Sequence, residues 1–294
     1  MLSLHTNAAA LSTTAAVGSN QKALSTSMTR LGTGYRINSA MDDAAGLQIA
    51  TRLEAQTRGM SVAMRNTQNG ISMMQVAEGA FEEVTNILMR MKDLATESAT
   101  ASATDDDRTA MQSEFDALGS ELANIIQNTS FGGEKLFSSG TTLDGTGGKL
   151  SDALTFQIGA TSDETMEVDA SDALGDLATA LADISTMFAA TPAAGTEISD
   201  ATDANGMIDT IADALDDVGS LRSQLGAASN RLDHVYNNLS NMSTNTTEAR
   251  SRIMDVDYAS ETANMTSKQL LMQASTSMLK QSSSMSQLVL SLMQ

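Results

Sequence analysis

An apolar repeat with a period of seven residues runs through both halves of the chain and constrains its fold more than any other feature. In the N-terminal half, mostly apolar residues occupy every seventh position from Leu53 to Ala95. In the C-terminal half, a matching repeat runs from Ile211 to Ile253. This period places the repeated side chains in one seam along an α-helix, which a second helix must cover. We therefore predict one long helix near 45–99 and another of about 45 residues in the C-terminal half.

Local signals predict where the helices begin and end. Ser39 precedes Asp42 by three residues, which is the spacing of a capping box at a helix start. Thr104 and the aspartates at 105–107 predict the start of a further helix, which should end near Asn128. The chain has a single proline and no tryptophan, a composition that favours long helices over turn-rich structure.

The segment between the two helical halves has a different pattern. Residues 154–158 alternate with a period of two and, together with 165–168, predict a β-hairpin whose turn spans 159–164. We also predict a short helix over 175–189 and a loop over 190–205. The predicted fold class is mainly α: a long antiparallel helical rod or coiled-coil bundle with a small central β-hairpin region.

Charged residues are segregated along the chain. The formal net charge is −19, yet residues 1–41 and 262–294 contain no acid and together only five basic residues. Residues 42–261 hold all 36 acidic and 12 basic residues, a net charge of −24. Because charged side chains are rarely buried, the low-charge termini are predicted to be covered in the functional state. Apolar residues at helical spacing in both termini predict two helices that pack on each other.

The composition argues against most catalytic and binding classes. The negative charge disfavours nucleic acid, since phosphate binding depends on Lys and Arg. The chain has no cysteine, its two histidines are far apart, and no apolar stretch is long enough to span a membrane. Gly32 and Gly34 lack the third glycine of a dinucleotide loop and indicate a bend, whereas the aspartates at 105–107 lack EF-hand spacing. We predict no enzyme activity, no cofactor, no metal and no membrane partner.

Motifs near both ends resemble the bacterial flagellins. Near the N-terminus the chain reads Arg36-Ile37-Asn38-Ser39-Ala40-Met41-Asp42-Asp43-Ala44-Ala45-Gly46-Leu47, which is similar to the RINSAxDDAAGL signature of that family. Near the C-terminus, the similar segments are Leu225-Gly226-Ala227, Asn230-Arg231-Leu232, Ala249-Arg250-Ser251-Arg252-Ile253 and Val289-Leu290-Ser291-Leu292. The resemblance covers 1–137 and 207–294, and it departs at Ser286, where many family members have proline.

The resemblance implies a secreted structural subunit that polymerises into the filament of the bacterial flagellum, for motility. Residues 1–44 and 255–294 would be terminal inner-core helices, residues 45–137 and 206–254 a long-helix rod domain, and 138–205 a short variable insert. The implied partners are other copies of the chain, the flagellar export apparatus and its chaperone, the filament cap and the hook-associated proteins. The alternative is a hook–filament junction protein, which has similar ends but forms only a short zone.

The same resemblance implies roles for particular residues. The inner layer would assemble through Leu4, Leu11, Leu24, Leu31, Leu271, Met278, Met285, Leu288 and Leu292. The junction between layers would be shaped by Arg36, Asn38, Asp42 and Asp43. Arg90, Leu94 and Glu114 stand where flagellins recognised by a vertebrate innate receptor carry their contact residues. The alternative for Arg90 and Glu114 is that they face solvent or a neighbouring subunit.

Overall fold

Helices dominate the structure. A computed structural model of the chain describes residues 7–138, 147–188 and 193–292, and the side chains of these residues other than 187 and 285–292. The α-helices of this part are α1 (Ala8–Thr33), α2 (Ala44–Ser98), α3 (Asp105–Asn128), α4 (Ser171–Ile184), α5 (Ala201–Met254) and α6 (Tyr258–Leu292). Two antiparallel hairpins accompany them: β1 (Ser130–Phe131) with β2 (Glu134–Lys135), and β3 (Leu154–Gln157) with β4 (Thr165–Val168). The predicted mainly α fold class is confirmed.

The chain divides into two compact units. The first unit comprises Met1–Thr57 and Thr244–Gln294, and therefore holds α1, α6, the beginning of α2 and the end of α5. The second unit comprises Arg58–Ser243 and holds the rest of α2 and α5 together with α3, α4 and both hairpins. Each unit is built from segments that are distant in sequence, because α2 and α5 contribute to both.

The second unit has an apolar core that is built on the predicted seams. On α2, Met74, Phe81 and Leu88 are buried at seven-residue spacing, as are Val218 and Leu225 on α5. Helices α3 and α4 and the β3–β4 hairpin pack on the same cluster, with these buried members: Phe115, Leu122, Ile126, Met166, Val168, Leu174, Leu177 and Leu181. The seven-residue repeats therefore correctly predicted which side chains of α2 and α5 contribute to this core.

The N-termini of α2 and α3 show how local side chains determine where a helix begins. Thr104 and Asp107 form the reciprocal capping box at the start of α3, and the hydrogen bonds from Thr104 lower the pKa of Asp107. The cap of α2 differs from the prediction. Asp43 caps this helix by accepting a hydrogen bond from the backbone N–H of Gly46 at 2.8 Å, whereas Ser39 and Asp42 close a separate turn before it.

The predicted β-hairpin lies against α2 within the second unit. Leu154 pairs with Val168 and Gln157 with Thr165, as expected for a turn over 159–164. A Cβ on Gly59 would lie 2.7 Å from the Cβ of Ala160, so the hairpin turn approaches the helix more closely than a side chain would permit. The β1–β2 hairpin was not predicted, because its strands have only two residues each on either side of two glycines with positive φ.

The segment after the hairpin is more helical than predicted. Helix α4 begins at Ser171 rather than at 175, and residues 186–188 form a 3₁₀ turn. The prediction of a loop up to 205 was wrong, because α5 begins at Ala201. The Asp200 carboxylate accepts a hydrogen bond from the backbone N–H of Thr202 at 2.7 Å and so stabilises the earlier start.

We expect Phe81→Ala to destabilise the monomer strongly. Phe81 is fully buried and its ring centroid lies 4.5 Å from that of Phe137, so truncation removes apolar contacts and leaves a cavity. The free energy of unfolding should fall by about 3–5 kcal/mol in a chemical denaturation experiment. Met89→Ala, on an exposed side of the same helix, is the control and should change it by less than about 0.5 kcal/mol. Equal effects of the two substitutions would contradict this packing.

Candidate functional site: the terminal helix pair and its junction

Helices α1 and α6 pack against each other in antiparallel orientation within the first unit. At the start of α1, Asn7 Nδ2 donates a hydrogen bond to the carbonyl oxygen of Ser282 at 3.2 Å. At the end of α1, Arg30 lies 3.8 Å from the carboxylate of Glu261 near the start of α6. Because each end of α1 meets the opposite end of α6, the two chain termini form one helical pair.

Only one side of α6 is covered by α1. The covered or half-covered residues follow a seven-residue repeat and are Glu261, Met265, Lys268, Met272, Ser275, Leu279 and Ser282. On α1, Leu24 is buried and Leu31 is half-buried. The row that contains Met265 and Met272 therefore packs against α1 within the subunit. The row that contains Leu271 and Met278 remains exposed.

The predicted assembly residues consequently fall into two groups. Leu24 and Leu31 lie in the interface of the helix pair, whereas Leu11 and Met278 are each 64% exposed and Leu271 is also exposed. Leu4 lies outside the described residues, and so do the side chains of Met285, Leu288 and Leu292. Met28 and Leu270 are further exposed apolar side chains that were not predicted, although both belong to the apolar helical pattern of their segments. Large exposed apolar side chains on helices of low charge are typical of an interaction surface.

The segment between α1 and α2 is tied to the end of α5 by backbone hydrogen bonds. Gly34 ends α1 with a φ of 77°, a conformation that glycine adopts without steric cost. The backbone N–H of Arg36 donates to the carbonyl of Met254 at 2.6 Å, and its guanidinium Nη2 donates to that of Ile253 at 2.8 Å. Arg36 thus satisfies two of the carbonyls that the end of α5 leaves unpaired, with its positive charge at the negative end of the helix dipole.

Asp42 organises the tight turn that precedes α2. Its Oδ2 accepts hydrogen bonds from the backbone N–H of Asn38 at 3.1 Å and of Ser39 at 2.9 Å. These bonds lower the pKa of Asp42, with a smaller contribution from the positive charge of Arg30 at 4.0 Å. Asn38 Nδ2 also donates to the carbonyl of Tyr35 at 2.8 Å. The structure therefore brings three of the predicted junction residues, Arg36, Asn38 and Asp42, into one hydrogen-bonded segment.

The fourth predicted junction residue, Asp43, lies at the start of α2, where its side chain limits the space available to residue 46. A Cβ on Gly46 would lie 2.8 Å from the side chain of Ile37 and closer still to Asp43 Oδ2, so a larger residue would displace the carboxylate that caps α2. Ile37 in turn is buried with Ala50 and Met254 in a small apolar cluster. The signature segment is thus held by a carboxylate cap on one side and by apolar packing on the other.

Several charged residues of the junction were not predicted. Arg250 pairs with Glu54 at 3.1 Å, and its guanidinium carbon lies 6.0 Å from the ring centroid of Tyr35. Arg30 lies within 4.0 Å of both Asp42 and a carboxylate of α6. Arg250 belongs to a motif that resembles the flagellin ending, and this was the signal that could have identified it.

Arg90 and Glu114 form an ion pair on the surface of the second unit. Arg90 Nη2 and Nε lie 2.7 and 3.0 Å from Glu114 Oε1, and this hydrogen-bonded contact raises the pKa of Arg90. Both side chains are about half exposed. Leu94, in contrast, is 2% exposed and packs in the core, so its side chain offers no direct contact to a partner in this conformation.

The described part of the chain contains neither a candidate metal site nor a candidate membrane-spanning helix. Within it, no three His, Asp or Glu side chains come together in a way that could hold a metal ion. The aspartates at 105–107 lie in the first turn of α3, and Gly34 forms the end of α1. Over the same residues, no helix combines the length and the apolar character that crossing a bilayer requires.

Comparison with known proteins identifies the family. Residues 4–142 match the bacterial flagellin N-terminal helical region, and residues 208–293 match the C-terminal helical region. The chain is 41% identical to a flagellin of Halalkalibacterium halodurans over 90% of each chain, and 33% identical to flagellin D of Vibrio anguillarum over 99% of each.

A solved structure with a similar fold is that of a putative flagellar hook-associated protein from Vibrio parahaemolyticus. It superposes with a TM-score of 0.54 at 17% identity and covers 73% of this chain and 100% of that one, which is evidence for the fold alone. The two family regions and the identity to named flagellins lead to a firmer conclusion. The chain belongs to the bacterial flagellin family, and it is a structural, non-enzymatic subunit of the extracellular flagellar filament.

Proposed function

We propose that this flagellin polymerises through the apolar faces that α1 and α6 leave exposed after they have packed on each other. The observation that carries the proposal is the exposure of Leu11, Leu271 and Met278 on helices that contain almost no charge. Burial of such side chains between subunits is favourable by about 25 cal/mol for each Å² of apolar surface removed from water. The seven-residue spacing also extends this face to Met285 and Leu292 in the sequence.

The proposed layers of the polymer follow from this contact surface. Residues 1–44 and 255–294 would form the inner core, residues 45–137 and 206–254 the surrounding layer, and residues 138–205 the solvent-facing insert. The charge distribution supports this order, because all 36 acidic residues lie between 42 and 261 and favour contact with water.

Other partners follow from family membership. Flagellins associate with hook-associated proteins. We infer in addition that the chain is bound by a chaperone, passes through the flagellar export apparatus and adds beneath the filament cap. A hook–filament junction role is the weaker alternative, since the relatives with the higher identity are named flagellins. The stoichiometry on isolated flagella would separate the two, because a filament subunit is present in large excess over a junction protein.

Leu271→Asp should abolish polymerisation. An aspartate on the exposed apolar face would have to be desolvated between subunits, at a cost of several kcal/mol. The control is Ser162→Asp in the exposed turn of the β3–β4 hairpin, where the added carboxylate remains in water and assembly should proceed. Light scattering of purified monomer after seeding measures both. Polymerisation of Leu271→Asp at the wild-type critical concentration would refute the proposed surface.

The same assay tests the role of charge in wild-type protein. Sodium chloride should accelerate assembly, because the segments of charge −24 repel one another and the Debye length falls from about 30 Å at 0.01 M to about 10 Å at 0.1 M. A steady decrease in rate with added salt would instead indicate that ion pairs between subunits drive growth.

We further propose that the junction residues fix the backbone between α1 and α2, with Asp42 as the central acceptor. A carboxyl whose pKa is lowered by folding contributes stability at pH values above its unfolded-state pKa, and this contribution is lost as the pH falls through the lowered folded-state pKa. Since the ordinary value is 3.8, the contribution of Asp42 should be complete at neutral pH, begin to decline near pH 4 and be lost only when the pH falls below the lowered folded-state pKa.

NMR of the monomer measures this change directly. The amide signals of Asn38 and Ser39 should move as the Asp42 carboxyl titrates below its ordinary range, because these amides donate to it. In Asp42→Asn the same amides should show no such titration. Identical pH profiles in the wild-type and variant proteins would show that Asp42 does not hold the turn.

A second proposed partner of the monomer is the vertebrate innate receptor, with Arg90 and Glu114 as contacts. The observation that favours this role is their exposure as one preformed ion pair on the outer surface of α2 and α3. Leu94 enters the proposal only as a core residue that holds α2 in place. If Arg90 and Glu114 instead face a neighbouring subunit, their loss would alter assembly rather than receptor activation.

Arg90→Ala is expected to reduce receptor activation by monomer about tenfold or more, as truncation of an interface arginine commonly does. The matched control is Arg222→Ala, which breaks a similar surface ion pair, to Glu78 at 2.8 Å, elsewhere in the same unit. A cell-based reporter assay with verified monomer compares the two variants. Unchanged activation by Arg90→Ala would exclude Arg90 as a contact.

A further inference from the structure

The methionines of the chain differ sharply in their exposure to solvent. The chain has 20 methionines and no cysteine, so its sulfur chemistry is that of the thioether. On α2, Met60, Met74 and Met91 are at most 1% exposed. Among the described side chains, the exposed methionines are Met41 (92%), Met278 (64%), Met28 (53%), Met89 (47%) and Met242 (37%). Because an oxidant in water reaches an exposed thioether first, exposure divides the methionines into an accessible set and a protected set.

Two of the exposed methionines lie on the terminal helix pair, Met28 on α1 and Met278 on α6. The residues three and four positions away from each, which are its neighbours on the helix surface, carry no charge. Met89 of the second unit differs, because Lys92 and Asp93 follow it at the same spacing. Met28 and Met278 therefore belong to the low-charge surface through which the subunits are proposed to make contact.

The packing of the subunit does not require a thioether at these two positions. More than half of each side chain is in water, so a leucine would satisfy the same intramolecular contacts. Met265 and Met272, in contrast, belong to the row that packs against α1 and are half-buried. A dissolved oxidant thus reaches the outer surface of the helix pair before it reaches the contact between the two helices. Oxidation of Met28 and Met278 would alter that surface and leave the pair packed.

The reaction needs an oxidant of the peroxide class. The thioether sulfur donates an electron pair to one oxygen of hydrogen peroxide, so that an S–O bond forms and the O–O bond breaks. The departing hydroxide takes the proton of the transferred oxygen and leaves as water. The sulfur is oxidised by two electrons and the peroxide is reduced by two. The product, methionine sulfoxide, is polar where methionine is apolar.

We propose that Met28 and Met278 form a peroxide-sensitive site that controls the addition of this subunit to the polymer. The proposal rests on the polymerisation through α1 and α6 proposed above. A thioether that becomes buried between subunits gains free energy by leaving water. The sulfoxide would instead lose its hydrogen bonds to water on an apolar surface, so oxidised subunits are excluded from growth.

The partition of oxidised protein between polymer and solution tests the site without any substitution. Wild-type monomer is partly oxidised with hydrogen peroxide, seeded and sedimented, and peptide mass spectrometry measures the sulfoxide at each position in both fractions. Sulfoxide at Met28 and at Met278 should be enriched about tenfold or more in the unassembled fraction. Sulfoxide at Met41 and Met89, which are exposed but lie outside α1 and α6, should be distributed equally.

Leucine variants test the same site through the critical concentration for assembly. All proteins carry Met285→Leu, because the side chain of Met285 lies outside the described residues. Peroxide should raise the critical concentration of this reference about tenfold or more, but that of Met28→Leu with Met278→Leu by less than about threefold. The matched control, Met41→Leu with Met89→Leu, lacks the same number of exposed thioethers and should remain as sensitive as the reference.

Reversal separates oxidation at sulfur from other damage. Methionine sulfoxide reductases A and B, with dithiothreitol as the reductant, convert the two epimers of the sulfoxide back to the thioether. After this treatment the oxidised reference should assemble at its original critical concentration. The thiol has no disulfide to reduce in this chain, because the chain contains no cysteine.

Two results would overturn the proposal. One is an equal distribution of Met28 and Met278 sulfoxide between polymer and solution. The other is an equal response to peroxide of the two leucine pairs. Failure of the polymerisation surface itself would appear differently, as normal assembly of Leu271→Asp. Loss of assembly in Leu271→Asp together with either of the two results would refute the oxidation site and leave the proposed surface intact.

Discussion

The seven-residue seams of α2 and α5 provide the second unit with a large apolar core, whereas the described residues of the first unit form only a small apolar cluster. In Arg58–Ser243, side chains from α2, α5 and the helices and hairpin packed on them are buried together in one cluster. In the first unit, the buried apolar side chains among the described residues are Leu24, Ile37, Ala50 and Met254. The helix pair retains exposed apolar side chains, among them Leu11, Leu271 and Met278, which are available for the proposed contacts between subunits.

The junction before α2 is held mainly by polar groups because it has little apolar surface to bury. Arg36 binds the carbonyls at the end of α5, and Asp42 binds the amides of its own turn. Hydrogen bonds of this kind are directional, so they fix a backbone conformation more sharply than apolar contacts do. A signature sequence with one glycine, two aspartates and one arginine in twelve residues therefore reflects a demand for geometry rather than for stability.

The sequence predicted the structure best where a pattern of apolar residues is compatible with only one helix and one buried side. The repeat from Leu53 to Ala95 allows one helix and one buried side, and α2 has both. On α6 the sequence contains two apolar rows with the same period, one through Met272 and one through Leu271. Periodicity cannot distinguish the row that packs on α1 from the row left exposed, because that choice depends on the partner helix.

Local sequence motifs gave incomplete predictions where two adjacent residues of the same type could have the same role. Asp42 and Asp43 are adjacent, and only the path of the backbone decides that Asp43 caps α2 while Asp42 closes the preceding turn. Gly132 and Gly133 follow the predicted helix end near Asn128, and they form the turn of a hairpin whose strands have two residues each. Leu94 was assigned a contact role together with Arg90 because of the family resemblance, but its side chain is buried. Residues four apart on a helix differ in direction by about 40°, enough to separate core from surface.

The separation of charge from apolar surface also explains how one chain can be soluble as a subunit and stable as a polymer. Acidic residues between 42 and 261 repel neighbouring copies at the range of the Debye length, whereas the apolar faces of α1 and α6 act only at contact. In the proposed assembly, repulsion would therefore govern how often subunits meet, and apolar burial would govern how long they remain bound. Because α1 and α6, the helices of the proposed contact, contain a single acidic residue, Glu261, association through them would require little desolvation of carboxylates. An interface of ion pairs would impose that cost on every subunit added, and it would weaken as the salt concentration rose.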